Sequence, residues 1–120
     1  APYQTFLYEN LAVNSYDLVI NTTSAGLKDE LLPCDERLLK GLLSKTKYAF
    51  EVIYGKQTPF LKLAKECQIP CKDGASMLLW QGVFAFELFF ELCDIKNLNP
   101  LPSTQQKLIV KAMLEALKLS

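Results

Sequence analysis

The sequence predicts an α/β protein built on a parallel sheet of about three or four strands with flanking helices. Three observations predict it. Short apolar runs alternate with longer segments of helical spacing along the first two thirds of the chain. Two of the helical segments open on capping chemistry, Asp35 before one and Thr58-Pro59 before the other. The run Asp17 to Ile20 leads straight into Asn21 to Gly26 (NTTSAG), small and polar throughout, as a loop after a strand requires.

Taken in order, Thr5 to Tyr8 (TFLY) reads as a short strand and Asp17 to Ile20 (DLVI) as a second, branched and buried in character. The loop at 21–26 continues through Leu31 to Asp35, punctuated by Pro33. A helix is expected from Glu36 to Leu43, with Leu38, Leu39, Leu42 and Leu43 as its buried stripe. Tyr48 to Ile53 (YAFEVI) is the third strand. The next helix starts at Thr58-Pro59, with Phe60, Leu61 and Ala64 inward and Lys62, Lys65 and Glu66 outward. Gln68 to Lys72 suits a short fourth strand.

From Gly74 to Leu92 the chain is apolar nearly all round. Gln81, Glu87 and Glu91 interrupt the run and no basic flank follows, so the segment reads as a helix buried against two different partners and not as a membrane span. Asn97 to Pro102 is a loop. Ser103 and Gln106 have capping-box spacing ahead of a last helix. That helix carries Lys107, Lys111, Glu115 and Lys118 on one side and Ile109, Ala112, Met113, Ala116 and Leu117 on the other.

Composition narrows the chemistry. Thirteen basic residues balance thirteen acidic ones, and they are scattered, which leaves no footprint for nucleic acid or an anionic membrane. The four cysteines, Cys34, Cys67, Cys71 and Cys93, are irregularly spaced and follow no secretory signal, so a reducing cytoplasm is expected. The chain has no histidine. That removes histidine-based acid–base or nucleophilic catalysis, and no metal site is expected from its cysteines.

Ligands of open parallel sheets bind beyond the carboxyl ends of the strands. Three places qualify: Asn21-Thr22-Thr23-Ser24-Ala25-Gly26, then Tyr54-Gly55, then Asp73-Gly74. Each also reads as an ordinary turn. Gly74, Met77 and Gln81 fall on one helical face. A glycine admits close approach, a methionine gives a soft apolar contact, and a glutamine offers donor and acceptor. In so apolar a helix Gln81 needs a partner, either a neighbouring backbone group or a polar ligand.

Three segments carry a family resemblance. Residues 21–26 resemble N-A-T-S-x-G, with Thr22 in place of alanine. Glu51-Val52-Ile53-Tyr54 followed by Thr58-Pro59-Phe60-Leu61 resembles D-x-x-Y…T-P-x-L. Asp73-Gly74-Ala75-Ser76-Met77-Leu78, then Gln81-Gly82 and Ala85-Phe86-Glu87, resembles D-G-x-x-M-L-x-x-Q-[GA]-x-x-A-F-E. Order and spacing match the shikimate dehydrogenase family over about residues 15 to 92, the third segment being the most specific.

The resemblance implies a partial Rossmann-like, NADP-binding domain at residues 1–73. It also implies helices at 74–120 that lead back to a substrate domain. It implies hydride transfer between shikimate and 3-dehydroshikimate, with quinate and NAD as a paralogue's alternative. Thr22, Thr23 and Ser24 would lie along the cofactor, with Asn21 shaping their loop. Val52 would sit against the nicotinamide, the Gly74 backbone would hold its carboxamide, and Met77 would pack nearby. Tyr54 and Gln81 would contact shikimate. Two positions depart from the pattern. Glu51 stands where aspartate is usual, which bears on local hydrogen bonds. Val52 is shorter than the common methionine, which loosens nicotinamide packing.

The family's catalytic lysine and aspartate, its glycine-rich phosphate turn and its N-R-T segment have no counterparts here. By resemblance the chain therefore starts inside the cofactor domain, contains no catalytic residue and is inactive alone. A non-catalytic interaction module is the alternative. Strand 17–20 would lack its inner neighbour, and an apolar edge and helix would be left open. Self-association, or a new position for run 5–8, is expected from that.

Overall fold

The computed structural model describes residues 4–8, 14–92 and 103–119. The chain divides into two compact units, Ala1–Gly74 and Ala75–Ser120.

In the first unit β1 (Tyr16–Asn21), α1 (Glu36–Leu43), β2 (Thr46–Glu51), α2 (Pro59–Glu66) and β3 (Cys71–Lys72) follow one another. The three strands form one parallel sheet in the order β1-β2-β3. The helices form where the sequence marks them. Asp35 Oδ1 accepts from Leu38 N at 3.1 Å, and Thr58 Oγ1 accepts from Leu61 N at 3.3 Å with Pro59 behind it. α2 stops because Gln68 turns left-handed, at φ +59°, and Ile69 N closes back on Ala64 O at 3.3 Å.

Leu39, Leu42, Leu43, Ala49, Phe60, Leu63 and Ala64 make the core, with Val19 and Cys71 packed against it. One sheet face therefore carries the burial. Register explains which: Val19 pairs with Ala49 and Ala49 with Cys71, while Leu18 pairs with Tyr48 on the opposite face. Leu18 and Ile20 stay about half exposed, at 51% and 50%. This qualifies the buried character expected of run 17–20: only alternate residues face the helices.

Two further expectations change. Run 5–8 forms no strand, and Phe6, Leu7 and Tyr8 are exposed. Nor does it move onto β1, whose second edge is open among the described residues. A strand needs a ladder partner, and apolar character alone does not supply one. The strand expected at 48–53 runs from Thr46 to Glu51 instead. Thr46 enters because its hydroxyl donates to Leu42 O at 2.8 Å in the buried α1–β2 turn. The strand closes at Glu51 because Ile53 N donates to the Glu51 side chain and not to a neighbouring strand.

The second unit is a helix pair, α3 (Ala75–Leu92) and α4 (Ser103–Leu119). Met113 Sδ would lie 3.3 Å from a Cβ at Gly82, and Gln106 Nε2 donates to Glu87 Oε1. The two contacts run in opposite chain directions, so the helices are antiparallel. Gln106 thus reaches across to α3. Leu79 and Val83 are buried, but Trp80, Phe84, Leu88, Phe89 and Leu92 are exposed. Complete burial of this helix is not what the chain shows, and Ala112 and Ala116 of α4 also face solvent. No helix among the described residues is long and apolar enough to cross a membrane. Cys93 and the loop expected at 97–102 lie outside the described residues.

Candidate functional site

The carboxyl ends of β1 and β2 lie side by side, with Asn21 in register with Glu51. Glu51 is fully buried. Its Oε2 accepts from Asn21 Nδ2 and from Thr58 Oγ1, both at 2.9 Å, and its Oε1 accepts from Ile53 N at 3.2 Å. Asn21 is buried too, and its Oδ1 accepts from Thr23 N at 3.1 Å and Thr23 Oγ1 at 2.8 Å. Thr23 Oγ1 in turn accepts from Ala25 N at 3.3 Å. Three donors on one carboxylate satisfy it without a cation.

This network shapes a concavity of about 500 Å³ lined by Thr22, Thr23, Ser24, Leu27, Val52, Ile53 and Tyr54. The structure thus brings five expected site residues together: Thr22, Thr23, Ser24, Val52 and Tyr54. Asn21 lies behind them as a support. Tyr54 is about half exposed among them.

The loop after β1 is closed further out. Gly26 takes φ +89°, and its N–H donates to Asp29 Oδ1 at 2.7 Å. Leu31 N donates to the same oxygen at 3.0 Å. The Leu31 and Gly26 amides together hold the Asp29 carboxyl below the usual carboxylate range. Lys56 donates to Asp29 O at 3.1 Å and pairs with Glu30 at 3.2 Å, tying the loop after β2 to the loop after β1.

Gly74 closes the third strand end. Its N–H donates to Ile53 O at 3.3 Å, and a Cβ there would lie 2.0 Å from Val52 O. Only glycine fits beneath that carbonyl. Gly55 N donates to Asp73 Oδ2 at 3.3 Å, so the second and third loops are also joined.

Met77 and Gln81 belong to the second unit. With Ser76, Trp80 and Phe84 they line a separate, open concavity of about 580 Å³. Both are exposed.

Sequence reasoning treated Glu51 only as a departure from a pattern and missed Thr58 as its partner. The signal was a carboxylate between Phe50 and Val52 in an apolar strand. Leu27 and Asp29 carried no signal of their own. Burial, with Asp35 adding to it, pushes the Cys34 thiol up, away from nucleophilic chemistry. Among the described residues no group of three or more His, Cys, Asp or Glu side chains is placed to hold a metal ion.

Comparison with known proteins gives this geometry a context. A protein from Helicobacter hepaticus named shikimate dehydrogenase (NADP(+)) is 61% identical over 75 residues, 62% of this chain and 28% of that protein. The chain is similar to shikimate dehydrogenases. The shikimate dehydrogenase of Helicobacter pylori strain J99 is 47% identical over 76 residues, and that of Acinetobacter baumannii strain SDF is 40% identical over 74. The chain spans 26–28% of the length of these relatives. A chorismate mutase/shikimate 5-dehydrogenase fusion protein from Clostridium acetobutylicum superposes with a TM-score of 0.60. It is 27% identical over 85% of this chain and 34% of the other. Shikimate dehydrogenase 1 from Peptoclostridium difficile, 20% identical with a TM-score of 0.60, shares the Rossmann-like fold over 86% of this chain. No family model matches the chain.

Proposed function

We propose that this chain is a segment of an NADP-dependent shikimate dehydrogenase and forms part of its cofactor site. The observation that carries the reading is the pocket at residues 22–24 and 52–54, at the strand ends where parallel sheets bind ligands. It lies in a chain 61% identical over 75 residues to a protein of that name.

The pocket's chemistry fits a dinucleotide. Thr22 and Ser24 offer hydroxyls beside Thr23, whose own hydroxyl is held by Asn21, and Val52 and Leu27 offer an apolar surface on which a flat ring packs. The backbone of Gly74, hydrogen-bonded to Ile53 O, is the proposed contact to the nicotinamide carboxamide. When bound, NADP supplies the acceptor for a hydride. The residues here bind and orient it, and the proton-transfer groups belong to the remainder of the enzyme. Tyr54 in the pocket and Gln81 on α3 are the proposed contacts to shikimate. Residues 1–73 act as the cofactor part and 74–120 as helices leading to the substrate domain. The free thiols of Cys34, Cys67 and Cys71 support a cytoplasmic setting.

The test uses the full-length protein that carries this segment. Tyr54→Phe and Gln81→Ala should each lower kcat/KM for shikimate by about 2- to 10-fold, the worth of one hydrogen bond to a neutral group, while NADP affinity holds. Unchanged kcat/KM in both variants removes these residues from the substrate site. Purified 120-residue chain that turns over shikimate would sink the division of labour.

A further inference from the structure

We propose that Glu51 is a positioning residue that sets the shape of the cofactor pocket through Asn21 and Ile53. This rests on the reading that the pocket holds the dinucleotide.

The carboxylate does not itself line the pocket. It accepts from three segments at once: the end of β1 through Asn21 Nδ2, the cap of α2 through Thr58 Oγ1, and the loop after β2 through Ile53 N. Each partner passes the constraint on. Asn21 can aim its carbonyl oxygen at Thr23 N and Thr23 Oγ1 only while its amide nitrogen is held by Glu51. Thr23, in the loop after β1, and Ile53, in the loop after β2, both line the pocket. Thr58 donates to Glu51 and accepts from Leu61 N, so the same carboxylate fixes the hydroxyl that caps α2. Two lining positions are thus set by one buried group, and low local polarity around it makes each bond costly to lose.

The role needs an acceptor at every contact. Glutamine has the same shape but carries an NH₂ on one side. Turned either way, Glu51→Gln sets a donor against Ile53 N or against the Asn21–Thr58 pair. Glu51→Asp keeps two acceptor oxygens one methylene shorter. Acceptor chemistry and side-chain volume are therefore separable.

The experiment measures NADP Kd, steady-state kinetics and amide hydrogen exchange on full-length wild type, E51Q and E51D. E51Q should raise the NADP Kd about 5- to 30-fold, while kcat at saturating NADP stays within about threefold. E51D should stay within about threefold of wild type in Kd. A residue that merely stabilised the fold would lower the active fraction without moving Kd. Unchanged Kd in E51Q, or equal losses in E51Q and E51D, overturns the proposal. If E51Q does not fold, Asn21→Ser replaces it, cutting the relay one bond later; an unchanged Kd there also overturns it. Wild type that binds no NADP sinks the functional reading instead. Glu51 is then judged by faster exchange of the Thr23 and Ala25 amides in whichever of the two variants folds, and exchange equal to wild type overturns the proposal.

Discussion

Asn21 Nδ2 lies 2.9 Å from Glu51 Oε2 across the ends of two parallel strands, both side chains buried and thirty residues apart in the chain. Removing the amide leaves a buried carboxylate short of a donor and releases Thr23. Asn21→Ala should therefore cost about 1–3 kcal/mol in denaturant unfolding. Thr22→Ala, one residue on at an exposed position, should change stability by less than about 0.5 kcal/mol. Equal effects would mean the Asn21–Glu51 contact carries no special weight.

Two glycines should respond differently to alanine. At Gly74 a Cβ would meet Val52 O at 2.0 Å and Val52 C at 2.8 Å, so the backbone itself must move. Gly74→Ala should cost more than about 2 kcal/mol. Gly55 has φ +72° with nothing within 4 Å of its Cβ position, so only conformational strain of about 1–2 kcal/mol is at stake. The ordering of the two melting temperatures checks this.

Asp29 gives the loop after β1 a pH dependence. The Leu31 and Gly26 amides lower its carboxyl below an aspartate's ordinary value. A depressed carboxyl stabilises fully above its unfolded value, and that contribution is lost as pH falls through the lower folded value. The loop should be unchanged from neutral pH to about 4 and loosen below it. Amide exchange at Gly26 and Leu31 reads this directly, and Asp29→Asn should remove most of the dependence.

Leu18 and Ile20 stand on the sheet face that α1 and α2 leave bare, on a strand with an open edge among the described residues. Such an edge is a template for pairing with another copy. Leu18→Lys with Ile20→Lys should lower light scattering of concentrated chain without moving the far-ultraviolet circular dichroism. Wild type that remains monomeric at high concentration removes the premise.

Local signals in the sequence were enough for α1 and α2. Asp35, Thr58 and Pro59 satisfy the first free amides of each helix from within a few residues, so no distant partner is consulted. The polar run after β1 was likewise readable, because it answers to the chain's own turn, whereas the carbonyl of Val52 above Gly74 comes from a residue far off in the chain. Run 5–8 and α3 show where that legibility ends. Their apolar residues state what should be buried but not what will cover them, and Phe6, Leu7, Trp80 and Phe84 are exposed. The Glu51 network was decided by tertiary structure alone. A carboxylate in a strand becomes a structural hub only when parallel register sets Asn21 beside it and the α2 cap brings Thr58 to the same oxygen. Hydrogen bonds act over about 3 Å, and sequence separation says nothing about which residues the fold will bring that close.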